Sequence, residues 1–259
     1  MISPEDKIPR FAIGKVRISA VTMTETLRLI DERINLGRSA YICVANVRTT
    51  VLSQTDKPYC EIQNGSFLTV PDGMPLVWFA KLAKVKNVER VVGADLMTKM
   101  LELSKEKGYS HYFLGDTEST LAKMTQIIAN RYPGTIIKAS FSPPFRELTD
   151  GEISNIAQEI NCLKPTFVWI ALGAPKQERF MARIVGQLDK SILLGVGAAF
   201  RFVIGEYKHP PKLLQMCGLE GFCWRFLSNP IGEACWYCYH IPVFGYFLLT
   251  AMIKRIKGA

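Results

Sequence analysis

The sequence predicts a doubly wound α/β domain, a mostly parallel sheet with helices on both faces, followed by a C-terminal appendage of different character. Three observations predict it. Short apolar runs alternate with amphipathic stretches over about 200 residues, the order that buries a parallel sheet between helices. Helix start and stop signals fall between the runs. Four of the runs end in glycine or polar residues, where a strand at the cleft side of such a sheet hands over to its helix.

In chain order, Phe11–Ala20 reads as an opening strand. Thr22 with Glu25 three residues on gives a capping box for a helix to about Leu36. Tyr41–Ala45 is a short apolar strand, and Asn46 is placed to begin the next helix. Phe67–Val70 leads into Pro71-Asp72-Gly73 and a helix through Lys84. Asp95–Lys107 is helical, His111–Leu114 a strand, and Thr117–Arg131 a helix that stops before Pro133-Gly134. Thr135–Phe141 is a strand, followed by the loop Ser142-Pro143-Pro144-Phe145-Arg146. A helix from about Asp150 to Cys162 leads to strand Thr166–Leu172. Another helix follows Pro175, and Ile192–Val196 is the last strand.

Composition bounds the function. The chain has 259 residues, nearly half of them hydrophobic, enough for one large core. An excess of 32 Lys and Arg over 23 Asp and Glu gives +9, which favours anionic partners. No RRM or zinc-finger motif accompanies that charge, so nucleic acid is not expected as a partner. The opening MISPEDKIPRF has no apolar signal-peptide core, and seven scattered cysteines suit a reducing compartment. The expected location is therefore cytoplasmic. Cys235 and Cys238 form a lone C-x-x-C without a second pair or spaced histidines, and read as two cysteines in an apolar segment. His111 and His209 are isolated and read as solvated or internally satisfied. No metal is expected.

The character changes after about Gly205, which divides the chain into a core, residues 1–205, and an appendage, residues 206–259. Ala234–Ile253 contains no Asp, Glu, Lys or Arg. Pro242, Gly245 and His240 interrupt it, and its first half is aromatic. Aromatic rings prefer the membrane interface, and Lys254, Arg255 and Lys257 suit anionic headgroups. The preferred reading is a segment lying in the membrane surface. A spanning helix, burial against the domain and a contact with a second copy in a homo-oligomer are the alternatives.

Four strand exits are candidate sites: Asn46 with Arg48, Thr49 and Thr50; Pro71-Asp72-Gly73; Gly115-Asp116-Thr117; and Gly173-Ala174-Pro175-Lys176-Gln177-Glu178. The last two turn on glycine and start a helix at once, so free N–H groups and the positive helix end can face a diphosphate. Pro175 suits the first helical position. A plain strand-to-helix turn fits these loops as well. Asp72, between Pro and Gly, suits a general base accepting a proton from a hydroxyl, or an Asx-turn. Arg90, with Gly93-Ala94-Asp95 after it, suits a phosphate or a surface carboxylate.

Read together, these pieces resemble the WecB/TagA/CpsF glycosyltransferase family. The matching stretches are VANVRTTV at 44–51, VPDGMPLV at 70–77, RVVGADLM at 90–97, YFLGD at 112–116 and FSPPFRELT at 141–149. They continue with IALGAPKQERFM at 170–181, GVGAAF at 195–200 and GLEGFCWRFLSNP at 218–230. The resemblance implies a Rossmann-like core and a C-terminal appendage that places the enzyme at the inner face of the plasma membrane. It implies inverting transfer of a hexose or N-acetylhexosamine(uronic acid) from a UDP-sugar to a polyprenyl-diphosphate-linked saccharide. By the same resemblance Asp72 is the general base, Gln177 an active-site contact and Asn46 part of the lining. Thr49, Gly73, Arg90, Gly93, Gly115, Asp116, Gly173, Pro175, Lys176, Glu178 and Arg225 are the expected substrate-binding residues. The chain departs from the family pattern at Val44, where Thr is usual, and at Arg201, where Asp is usual. Arg201, together with an altered C-terminal region in which Lys208-His209-Pro210 stands where R-A-P is usual, motivates a second reading, a weakened nucleotide-sugar-binding or scaffolding subunit.

Overall fold

The structure, a computed structural model, describes residues 8–208, 210–211 and 230–257. The chain opens with strands β1 (Arg10–Ile13) and β2 (Val16–Ser19), then α1 (Met23–Asn35), β3 (Ala40–Ala45), α2 (Val47–Thr55), α3 (Lys57–Gly65), β4 (Leu68–Pro71) and α4 (Met74–Leu82). It continues through α5 (Gly93–Lys107), β5 (Ser110–Gly115), α6 (Glu118–Arg131), β6 (Ile136–Phe141), α7 (Asp150–Leu163) and β7 (Phe167–Ala171). It ends with α8 (Lys176–Ile184), β8 (Ile192–Gly195), the short α9 (Ala199–Val203) and α10 (Pro230–Lys257).

Six strands form one all-parallel sheet in the order β4-β3-β8-β7-β5-β6. Side chains alternate between its faces with period two. In β7, Phe167 and Trp169 enter one core with Phe113, Leu194 and Phe200, while Val168 and Ile170 enter the other with Tyr112, Leu114 and Leu193. Helices α1, α5, α6 and α9 cover the first face, and α3, α7 and α8 the second. Because both faces are covered, every residue of β3, β5 and β8 is buried, which is why these strands read as continuous apolar runs. Strand β6 alternates exposed and half-buried positions, as an edge strand does.

Local details depart from the expectations. Phe11–Ala20 is not one strand but the hairpin β1–β2, turned at Gly14 with φ +59° and forming its own two-stranded sheet. Only half of the box at Thr22 forms: Thr22 accepts from the Glu25 N–H at 3.1 Å, while the Glu25 carboxylate goes to Arg28. Helix α3, started by Asp56 and Pro58, was not expected. Pro175 caps α8 from outside, making Lys176 the first helical residue.

The hairpin, α2, α4 and α10 share a third apolar cluster that includes Phe11, Ile13, Leu76, Phe79, Phe244 and Ala251. Thus one face of α10 packs on the domain, while Tyr239, Tyr246, Leu249 and Met252 are exposed. Among the described residues no helix is long and apolar enough to cross a membrane. The spanning alternative for Ala234–Ile253 is therefore set aside.

The topology also opens a site. The chain leaves β3 toward α2 and α3, on the α8 side of the sheet, and leaves β8 toward α9, on the α5 side. Helices part where neighbouring strands exit to opposite faces, leaving a crevice beyond the carboxyl ends of β3 and β8.

Candidate active site

The crevice is a cleft of about 600 Å³, lined from the exits of β3, β4, β7 and β8, the start of α5 and one side of α10. At the β3 exit, Asn46 caps α2: its Oδ1 accepts from the Thr49 N–H at 3.2 Å, and Thr49 Oγ1 accepts from the Asn46 N–H at 2.9 Å. Both residues line the cleft, as does the exposed Arg48 in the first turn of α2.

The β4 exit lies beside it. The Asp72 N–H donates to Ala45 O at 2.8 Å, continuing the β3–β4 pairing past Pro71. Arg90 Nε donates to the Asp72 carbonyl at 2.7 Å. The arginine reaches back because the Val91 N–H binds Pro71 O at 2.8 Å, laying the segment before α5 along the same turn. Asp72, Gly73 and Arg90 all line the cleft.

The β7 exit supplies the opposite wall. Gly173, with φ +75°, and the cis Ala174–Pro175 bond turn the chain into α8. Gln177, the second residue of α8, is 4% exposed and lines the cleft beside Gly195 and Gly197. Its Nε2 donates to Glu178 Oε1 at 2.9 Å. Glu178 is fully buried behind that wall, and burial raises its carboxyl above the usual glutamate range.

Electrostatically the cleft is prepared for an anion. Helices α4, α5 and α8 begin beside the cleft at Gly73, Val92 and Pro175 without a side-chain cap, so their positive ends favour an anion there. In α4, however, Pro75 has no N–H and the Leu76 N–H is bound to Gly73 O, and in α8 the Gln177 N–H is bound to Gly173 O. Arg48 and Arg90 add formal charge. The far wall is apolar: Met74 and Trp78 of α4 face Tyr237, Ile241, Phe244 and Leu248 of α10, one side of that helix at its own repeat. Among the described residues no three His, Cys, Asp or Glu side chains gather as metal ligands do.

Of the expected residues, Asn46, Thr49, Asp72, Gly73, Arg90, Gly93, Gly173 and Gln177 meet in this cleft. Pro175, Lys176 and Glu178 flank it without lining it. Gly115 and Asp116 do not reach it, because β5 is separated from β8 by β7. There Gly115 has φ +118° and a Cβ would lie 2.5 Å from Ala171 O, so the glycine serves a close backbone approach. Asp116 is taken up by Arg201, and Thr117 caps α6 through the Thr120 N–H. Arg225 and His209 lie outside the described residues. Arg48 was noted at its strand exit but not expected to bind substrate, and Trp78 and the aromatic residues of α10 were not singled out for the cleft.

Residues 11–258 match the glycosyl transferase WecG/TagA/CpsF family. An N-acetylglucosaminyldiphosphoundecaprenol N-acetyl-beta-D-mannosaminyltransferase of Bacillus subtilis (strain 168) is 26% identical over 204 residues, covering 78% of this chain and 75% of that protein. The protein of the same name from Staphylococcus aureus (strain MW2) is 23% identical over 219 residues, covering 85% and 83%. With the family match running through the hairpin, the sheet and α10, the chain belongs to the WecG/TagA/CpsF family of glycosyl transferases.

Proposed function

We propose that this protein transfers a hexose or N-acetylhexosamine(uronic acid) from a UDP-sugar to a polyprenyl-diphosphate-linked saccharide, with inversion and without a metal, during surface polysaccharide assembly. The observation that carries the reading is the meeting of Asp72, Arg90 and Gln177 at the β3/β8 crevice, with three uncapped helix N-termini around them. The relatives' names, which describe transfer to a diphosphoundecaprenol-linked sugar, support the acceptor class.

In this reading the Asp72 carboxylate takes the proton from the acceptor hydroxyl as its oxygen bonds to the anomeric carbon. The bond from that carbon to the diphosphate oxygen breaks on the opposite side, giving inversion. The departing UDP leaves with its charge met by Arg48, Arg90 and the starts of α4, α5 and α8. The apolar wall of α4 and α10 suits the isoprenoid end of an amphiphilic acceptor. The exposed apolar side of α10 suits the inner membrane surface.

The scaffold reading rests on Arg201 and on the altered C-terminal region, of which residues 212–229 lie outside the described residues. The Arg201 guanidinium is engaged by Asp116 and Glu206 and does not line the cleft, so it does not obstruct the transferase reading. The test is UDP release from a panel of UDP-sugars in the presence of membrane lipid extract, with and without EDTA. Acceptor-dependent release that survives EDTA is the expected result. Release abolished by EDTA would overturn the metal-free mechanism. UDP binding without release, from extract containing a competent acceptor, would favour the scaffold.

A further inference from the structure

Behind the Gln177 wall lies a carboxyl with no cationic partner among the described residues. Glu178 is fully buried, and its Oε2 has no hydrogen-bond partner. The groups that bear on it are the Tyr59 hydroxyl of α3, the Cys43 thiol of β3, the first turn of its own helix and the Gln177 amide. Its Oε1 accepts from the Gln177 amide nitrogen, Nε2 to Oε1 at 2.9 Å, and can do so whether or not Oε2 carries a proton.

That contact fixes the other end of the amide. A Cβ on Gly195 would lie 3.1 Å from Gln177 Nε2, and a Cβ on Gly197 would lie 3.6 Å from Gln177 Oε1. The oxygen is therefore the end turned toward the Gly197 side of the cleft lining. It is buried and has no hydrogen-bond partner, an arrangement that a ligand's donor group would complete.

We propose that Glu178 is a positioning residue that holds the Gln177 carbonyl oxygen toward the cleft, so that this wall accepts a hydrogen bond from an O–H or N–H group of the nucleotide-sugar and turns away its phosphates. The inference rests on the sugar-nucleotide reading above. It divides the cleft: phosphates on the side of Arg48 and Arg90, a hydrogen-bond donor on the side of Gln177. The donor group can belong to the transferred sugar or to the nucleoside.

The test is Glu178→Gln in the full chain. The substituted amide can donate as well as accept, which frees the Gln177 amide to invert. Three readouts are taken: the Gln177 side-chain NH₂ resonances with selective ¹⁵N-glutamine labelling, assigned through Gln177→Leu; UDP affinity by calorimetry; and transfer kinetics with the sugar donor that the wild type uses. The NH₂ pair is expected to move with pH in the wild type and to lose that dependence in E178Q. The kcat/KM is expected to fall about tenfold or more at an unchanged melting temperature. An unchanged UDP affinity then assigns the donor group to the sugar, and a parallel loss assigns it to the nucleoside. NH₂ resonances and kinetics equal to wild type would overturn the proposal. So would losses that track a fall in melting temperature and recur in Glu178→Leu, the mark of a merely structural residue. A wild type without transfer would sink the transferase reading, and the NH₂ resonances would still decide whether Glu178 orients Gln177.

Discussion

Asp116 and Arg201 form a two-point ion pair across 85 residues of sequence: Arg201 Nε meets Asp116 Oδ2 at 3.0 Å, and Nη2 meets Oδ1 at 2.7 Å. Arg201 also binds Glu206 at 2.6 Å. Asp116 sits at φ +55° on the β5 exit and Arg201 on α9, so the pair ties α9 to the far half of the sheet. Replacing Arg201 with Ala leaves a mostly buried carboxylate on a left-handed turn. It should destabilise the protein by about 1–3 kcal/mol. Arg201→Asp should cost more, since it puts three carboxylates together. Urea unfolding of R201A, D116A and the double variant checks the coupling; additive effects would show the pair to be idle.

Arg48 has no ion pair among the described residues and lines the cleft at the first turn of α2. If it meets a donor phosphate, Arg48→Ala should weaken UDP binding about tenfold, or about 1.4 kcal/mol. The loss should shrink as salt is raised, because salt screens an exposed charge. Calorimetry at two salt concentrations reads both effects. Unchanged affinity would take Arg48 out of the donor site.

The elements legible in the sequence were those whose signals are local. Asn46, Thr117 and Thr149 each stand before an apolar-periodic stretch, and each caps the helix that follows. The hairpin was hidden because the apolar pattern of Phe11–Ala20 runs through Gly14-Lys15 without a strong break. Helix α3 was missed although Asp56 and Pro58 mark its start. The candidate site was legible in part for a different reason. Gly115-Asp116 and Gly173-Ala174 look alike as strand exits, and only strand order separates them. That order depends on long-range pairing of β7 with β5 and β8, which no local pattern encodes.

Two buried groups should give stability opposite dependences on pH. Trp169 Nε1 donates to His111 Nδ1 at 2.9 Å, so the imidazole proton sits on Nε2, 2.7 Å from Ser104 Oγ. Burial holds the His111 pKa down to about 3, from an ordinary 6.5. The unfolded chain therefore binds the proton first, and stability is lost as pH falls below about 6.5, by up to about 1.4 kcal/mol per unit. Glu178 is raised above its ordinary 4.5, so its contribution is full below that value and is lost as pH rises toward the folded pKa. Against wild type, His111→Gln should become relatively more stable as pH falls from 7 to 5. Glu178→Gln should do so as pH rises over the same range. Urea midpoints at matched pH test both; parallel curves would refute the assignment of either slope.

Helix α10 offers a test of the membrane proposal that leaves the cleft alone. Leu249 and Met252 are exposed, 54% and 45%, and neither lines the cleft. Leu249→Glu with Met252→Glu should reduce co-sedimentation with anionic vesicles several-fold, because the helix would then carry charge on the face that enters the interface. UDP affinity should stay unchanged. Equal vesicle binding by the variant would move membrane attachment elsewhere in the chain.

The base assignment rests on a turn whose backbone is held by neighbouring segments. Its N–H is bound to Ala45 O and its carbonyl to Arg90 Nε, so both backbone groups are held by neighbours. Asp72→Asn should therefore keep the turn, the melting temperature and UDP affinity. What it removes is the proton acceptor. Loss of a general base slows transfer by about 10²–10⁴, equivalent to about 3–5 kcal/mol in the barrier. The fall should appear in kcat, with the KM for the donor little changed, because the proton moves only in the transition state. Wild-type turnover by D72N would remove Asp72 from the chemistry. A loss of donor binding instead would make it a contact to the substrate, and the proton would need another acceptor within reach of the cleft.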